Sequence, residues 1–113
     1  MASEITPTRV LIALEQHLGR DEGASAAELV RQITGDYSPA QERALRQAIV
    51  DLRLKGWHIC GHPAEGYYIA ETEEELSDTC LFLYDRAMTS LTQISAMKHI
   101  SLPDLRGQLK LPT

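Results

Sequence analysis

Apolar residues along the first seventy positions recur at helical spacing in three rows, and the period then drops to two. Val10, Leu11, Leu14 and Leu18 form the first row, set three and four apart so that they share one face of an α-helix. Thr6 followed by Pro7 marks its start, because a proline at the first helical position lacks only an N–H that has no intrahelical partner. This helix is expected to run to about Leu18 or Gly19, and the polar stretch Arg20 to Ala24 reads as a loop. Ser25 opens a second helix, with Glu28 three residues later completing a reciprocal capping box. Ala26, Leu29, Val30 and Ile33 supply its buried row and Gly35 its stop. Ser38, Pro39 and Gln41 repeat the start signal for a third helix, whose inward row is Leu45, Ala48, Ile49 and Leu52 and whose end is Gly56.

From Trp57 the two-residue period places Trp57 and Ile59 on one face of a strand and His58, Cys60 and His62 on the other. A turn from Gly61 to Gly66 leads to a second strand in which Tyr67 and Ile69 point inward. Thr72 and Glu75 form another capping box, with Glu73 and Glu74 near the positive end of a helix that runs to about His99. Along it Leu76, Cys80, Leu83, Ala87, Leu91, Ile94 and Met97 approximate a heptad seam. At about 1.5 Å per residue such a helix extends roughly 40 Å, more than a domain of this size covers, so the seam is expected to pair two copies of the chain. The last stretch, ISLPDLRGQLKLPT, carries two prolines and alternating leucines and reads as an extended arm. The expected fold is mainly α with a small β-hairpin: a winged helix-turn-helix over residues 1–70, a dimerisation helix over 71–99 and an arm over 100–113.

Composition narrows the function. With 113 residues, 43% of them apolar, the chain fits one folded domain with an appended element. A net charge of −5 argues against a broad polyanion-binding surface. The charge is uneven, however: residues 71–113 hold seven Asp and Glu against four Lys and Arg, whereas residues 37–55 hold Arg43, Arg46, Arg53 and Lys55 against Glu42 and Asp51. No apolar run approaches the roughly 18 residues that cross a bilayer. Cys60 and Cys80 fall in different elements with no leader peptide before them, which predicts reduced thiols and a cytoplasmic location. His58, Cys60 and His62 have the ligand types of a zinc site but neither its spacing nor a fourth ligand, so neither metal nor other cofactor is expected. No ordered nucleophile, base and acid stand together and no glycine-rich phosphate loop occurs, which predicts that the chain is not an enzyme.

The segment ALRQAIVDLRLKGWHI followed by GYYI resembles the winged helix-turn-helix of the biotin-repressor type, common among bacterial regulators. Leu45, Ile49, Leu52 and Gly56 occupy that family's apolar, apolar, leucine and glycine positions, and Gly66, Tyr67 and Ile69 its closing Gly-Tyr-x-aliphatic. The resemblance covers residues 8–70. Ser38 lies seven residues before Leu45, where the family places its capping serine about four before, so the third helix starts almost a turn early. Beyond residue 70 the chain resembles small phage and prophage proteins. Together these imply a sequence-specific binder of double-stranded DNA that regulates transcription as a dimer. In that reading Gln41, Arg43, Arg46, Gln47, Val50 and Arg53 lie on the groove-facing helix, since arginine forms a bidentate fork to guanine and glutamine pairs with adenine. Lys55, His58 and His62 reach phosphates. The alternative is a winged-helix adaptor that binds protein, such as a phage factor acting on a host replication, transcription or defence complex.

Overall fold

The computed structural model describes residues 4–99, and the expected arm over 100–113 lies outside them. Helices Pro7–Leu14 (α1), Ala26–Thr34 (α2) and Pro39–Leu54 (α3) are followed by an antiparallel hairpin of Ile59–His62 (β1) and Gly66–Ile69 (β2), then by the helix Glu73–His99 (α4). That order is a winged helix-turn-helix with a long C-terminal helix. The caps form where the sequence places them. Thr6 Oγ1 accepts from the Arg9 N–H at 3.2 Å. Ser25 Oγ accepts from the Glu28 N–H at 3.1 Å, while the Glu28 carboxylate accepts from the Ser25 N–H at 3.3 Å. At α3 the Ser38 hydroxyl accepts from the Gln41 N–H at 3.1 Å and itself donates to Gln41 Oε1 at 3.2 Å, so the glutamine holds the cap's side chain rather than its backbone.

The first helix is shorter than its apolar spacing predicts: it ends at Leu14, and Leu18 sits in a bridge with Ile69. The reason lies in β2, whose outer backbone groups need partners. The Ile69 N–H donates to the His17 carbonyl at 2.8 Å, the Gly19 N–H to the Ile69 carbonyl at 2.8 Å, and Ala24 and Tyr67 exchange a pair of bonds at 2.9 and 2.7 Å. Residues 17–24, read from the sequence as helix end and loop, thus line the hairpin as a broken third strand, with one 3₁₀ turn at Arg20–Glu22 between the two bridges. Leu18 remains 48% exposed in that bridge.

Val10, Leu14, Leu29, Val30, Leu45, Ala48, Ile49, Leu52 and Ile59 form the core beneath the hairpin, and Leu11, Ile33, Tyr67 and Ile69 pack against its margin. The hairpin also buries its other face. Cys60 and Tyr68 pair across the strands and are 0% and 1% exposed. Tyr67 and Ile69 face the core as expected, yet Tyr68 is the more deeply buried tyrosine. Here the first turns of α4 approach: Cys60 Sγ donates to the Glu75 carbonyl at 3.5 Å, and the Gly61 N–H donates to Thr79 Oγ1 at 3.4 Å. Trp57, expected on the same strand face as Ile59, precedes β1 and is 47% exposed.

Contacts divide the chain into two units, Met1–Cys80 and Leu81–Thr113. The first therefore passes the boundary at residue 70 read from the sequence and takes in the opening turns of α4. Glu75 explains this. Its N–H donates to Thr72 Oγ1 at 3.1 Å, as the capping box requires, but its carboxylate accepts from the Glu71 N–H at 2.9 Å and from the Arg20 N–H at 3.0 Å. The Arg20 guanidinium meets Asp78 at 2.6 Å and Glu65 at 3.2 Å. In the second unit, Leu83, Leu91, Ile94 and Met97 are all exposed along the helix, and Arg86 lies over the Phe82 ring at 5.7 Å.

Candidate nucleic-acid interface

With Leu45, Ala48, Ile49 and Leu52 turned inward, the 100° step per residue sets Arg43, Gln47, Val50 and Leu54 on the opposite face of α3. Arg46 and Arg53 fall on the flank towards the hairpin. Arg43 is exposed and has no hydrogen bond or ion pair among the described residues. Gln47 is exposed and donates to Asp51 at 3.0 Å. Val50 is 44% exposed. Gln41 is half-buried at the helix start, where its side-chain oxygen is taken up by Ser38.

Arg46 is exposed but held. Its Nη2 meets Glu42 at 3.1 Å and its Nη1 donates to the Tyr67 hydroxyl at 3.3 Å. Glu42 also accepts from the Tyr37 hydroxyl at 3.0 Å, and Arg31 lies over the Tyr37 ring at 5.3 Å. A polar chain thus runs from α2 across α3 to the wing. The Arg46 guanidinium, with the Tyr37 hydroxyl second, keeps the Glu42 carboxyl below the usual carboxylate range. The same bond to Glu42, and then burial, push the Tyr37 phenol up. The early start of α3 noted in the sequence is what places Glu42 one turn ahead of Arg46, beside Tyr37.

Arg53 turns away from the outer face. It is half-buried, its Nε donates to the Ile59 carbonyl at 2.8 Å, and burial lowers its pKa. Its place is between α3 and β1, a structural role rather than an outward one. Lys55 is exposed and caps α3. His58 is exposed beside the wing, with its carbonyl accepting from the Ala70 N–H at 3.0 Å. His62 is exposed at the hairpin turn, where its Nδ1 accepts from the Ala64 N–H at 3.1 Å. Cys60, between these histidines in sequence, is buried, and burial pushes its thiol up. The three do not converge, and among the described residues no group of His, Cys, Asp and Glu side chains is placed to hold a metal ion.

Sequence reasoning missed the apolar end of this face. Beyond Val50, Leu54 on the outer face is 82% exposed, and Trp57, past the end of α3, is 47% exposed; the position of Leu54 follows from helical spacing, whereas that of Trp57 does not. It also missed Tyr37 and Tyr67 as partners of the charged residues. Elsewhere an open groove of about 400 Å³ is lined by Arg9, Ile12, Ala13, Gln16, Gln32 and Ile33, which include no nucleophile or acid–base pair.

Comparison of the chain with protein-family models, with curated proteins and with solved structures gives no match. No helix among the described residues is long and apolar enough to cross a membrane.

Proposed function

We propose that this protein is a sequence-specific double-stranded DNA-binding regulator of the biotin-repressor winged-helix type, acting as a cytoplasmic dimer of bacterial or phage origin, without a cofactor and without catalytic activity. The observation that carries this reading is the outward placement of Arg43 and Gln47 on α3, with Arg46 exposed between them and the wing. Arg43, Arg46 and Gln47 face bases, and Lys55, His58 and His62 hold phosphates on either side. Arg53 serves the reading only by fixing α3 against the hairpin. A dimer joined through α4 presents two such helices to a palindromic site.

Selection of binding sites from random duplexes tests it. The expected result is an enriched inverted repeat bound with a salt slope of roughly −5, given about three phosphate contacts per protomer. Absence of enrichment together with absence of duplex binding at low salt would overturn it. A second reading, the protein-binding adaptor, is favoured by the exposure of Val50 and Leu54 on the same helix and of Trp57 just beyond its end, since exposed apolar side chains mark protein contacts more often than phosphate contacts. Leu54→Lys separates the two. It leaves duplex affinity equal or higher in the first reading and abolishes complex formation with a protein partner in the second.

A further inference from the structure

We propose that two copies of this chain pair through α4 in antiparallel orientation, about a two-fold axis at Ala87. The inference rests on the dimeric part of the reading above and gives it a geometry.

Three features of α4 point to this arrangement. The first is exposure: Leu83 is 39%, Leu91 56% and Ile94 49% exposed, an apolar row with no cover among the described residues. The second is the symmetry of that row. Cys80, Leu83, Ala87, Leu91 and Ile94 are separated by three, four, four and three residues, which reads identically from either end. An antiparallel partner centred on Ala87 therefore sets Cys80 against Ile94 of the second copy, Leu83 against Leu91, and Ala87 against itself. The smallest side chain of the row falls where the two helices pass closest, and larger ones meet on each side.

The third feature is charge. The first turn of α4 holds Glu73, Glu74 and Glu75, and its last turn holds Lys98 and His99. A parallel pair would stack like charges at both ends. The antiparallel pair brings Lys98 and His99 of one copy within about a turn of Glu73 and Glu74 of the other, and opposes the two helix dipoles. Charge complementarity thus selects a second copy of this helix as the occupant of its own apolar row.

Cys80 reports the orientation. It is exposed, whereas Cys60 is buried. In a parallel pair the two Cys80 residues would be neighbours. In the antiparallel pair they lie fourteen residues apart along the axis, about 21 Å at 1.5 Å per residue, far beyond the roughly 7 Å between Cα atoms that a disulfide spans. The experiment combines sedimentation at tens of micromolar with mild oxidation and a non-reducing gel. The expected results are a dimer in sedimentation, no covalent dimer from the natural chain, a covalent dimer from Ile94→Cys, and its loss when Cys80→Ser is added. A covalent dimer formed by the natural chain through Cys80 overturns the orientation while leaving dimerisation standing. A dimer in which Ile94→Cys does not cross-link overturns the register. A monomer overturns the pairing itself, and the DNA-binding reading then stands or falls on its own duplex assay.

Discussion

Arg53 on α3 donates from Nε to the carbonyl of Ile59 on β1 at 2.8 Å, tying the helix that bears the outward face to the first strand of the wing. The bond satisfies a carbonyl on the strand edge away from β2 and uses a charged donor, the stronger kind of hydrogen bond. Arg53→Ala is therefore expected to lower unfolding stability by about 1.5–3 kcal/mol, read as a fall in the urea midpoint. Arg53→Lys is expected to recover only part of it, since an ammonium cannot reproduce the planar fork. An unchanged midpoint for the alanine variant would remove the anchoring role assigned here.

Glu42 sits on Arg46 and places a negative charge at the edge of the proposed DNA-facing surface. Glu42→Gln removes that charge and releases Arg46, so duplex affinity at low salt is expected to rise by roughly three- to tenfold. Arg46→Ala is expected to weaken specific binding by about 1–3 kcal/mol. Fluorescence anisotropy on a selected duplex measures both, and a fall in affinity for Glu42→Gln would count against this face as the contact surface.

Acid should loosen the junction between Glu75 and the Arg20 turn. The N–H groups of Glu71 and then Arg20 hold the Glu75 carboxyl below its ordinary value near 4.5. A carboxyl whose folded pKa is depressed contributes stability above its unfolded pKa and loses it as pH falls through the folded one. The difference in thermal midpoint between the natural chain and Glu75→Gln is accordingly expected to be constant near neutrality and to shrink below about pH 4.5. A difference that persists undiminished at pH 2 to 3 would show that ionisation of Glu75 is not its source.

Two glycines with nearly equal dihedrals should respond differently to alanine. Gly35 has φ +80° and open space around its missing side chain, whereas a Cβ on Gly66, at φ +79°, would lie 2.5 Å from the Ala24 carbonyl oxygen. Gly35→Ala is expected to cost about 1 kcal/mol, from the left-handed backbone alone. Gly66→Ala should cost at least about 2 kcal/mol more, because the opposing backbone must also shift. Equal losses in urea unfolding would mean that the bridge between Ala24 and Tyr67 yields easily.

The elements legible in the sequence were those set by short-range chemistry. Thr6, Ser25 and Ser38 cap helices because their hydroxyls reach N–H groups three residues on, a relation wholly contained in neighbouring residues. The hairpin was legible from its alternation and from Gly66. What escaped depended on distant partners. Leu18 leaves its helical row because Ile69, fifty-one residues later, needs backbone partners beside it. Cys60 and Tyr68 looked outward because alternation assigns one buried face, and nothing local announces that α4 approaches the second. Arg53 shares its charge with Arg43, and only the position of the Ile59 carbonyl separates an anchor from an outward group. The outward positions of Arg43 and Gln47 followed from helical phase; the pairing of Arg46 with Tyr67 did not.

A two-stranded ribbon ordinarily offers its margins as templates to any extended peptide that drifts past. This one has little to offer. The segment from His17 to Ala24 occupies one margin, and Arg53 and Thr79 cap the other at Ile59 and Gly61. Recruitment of a foreign strand is thereby discouraged on both sides, which leaves recognition by the described residues to side chains standing on the helices and at the tip of the wing.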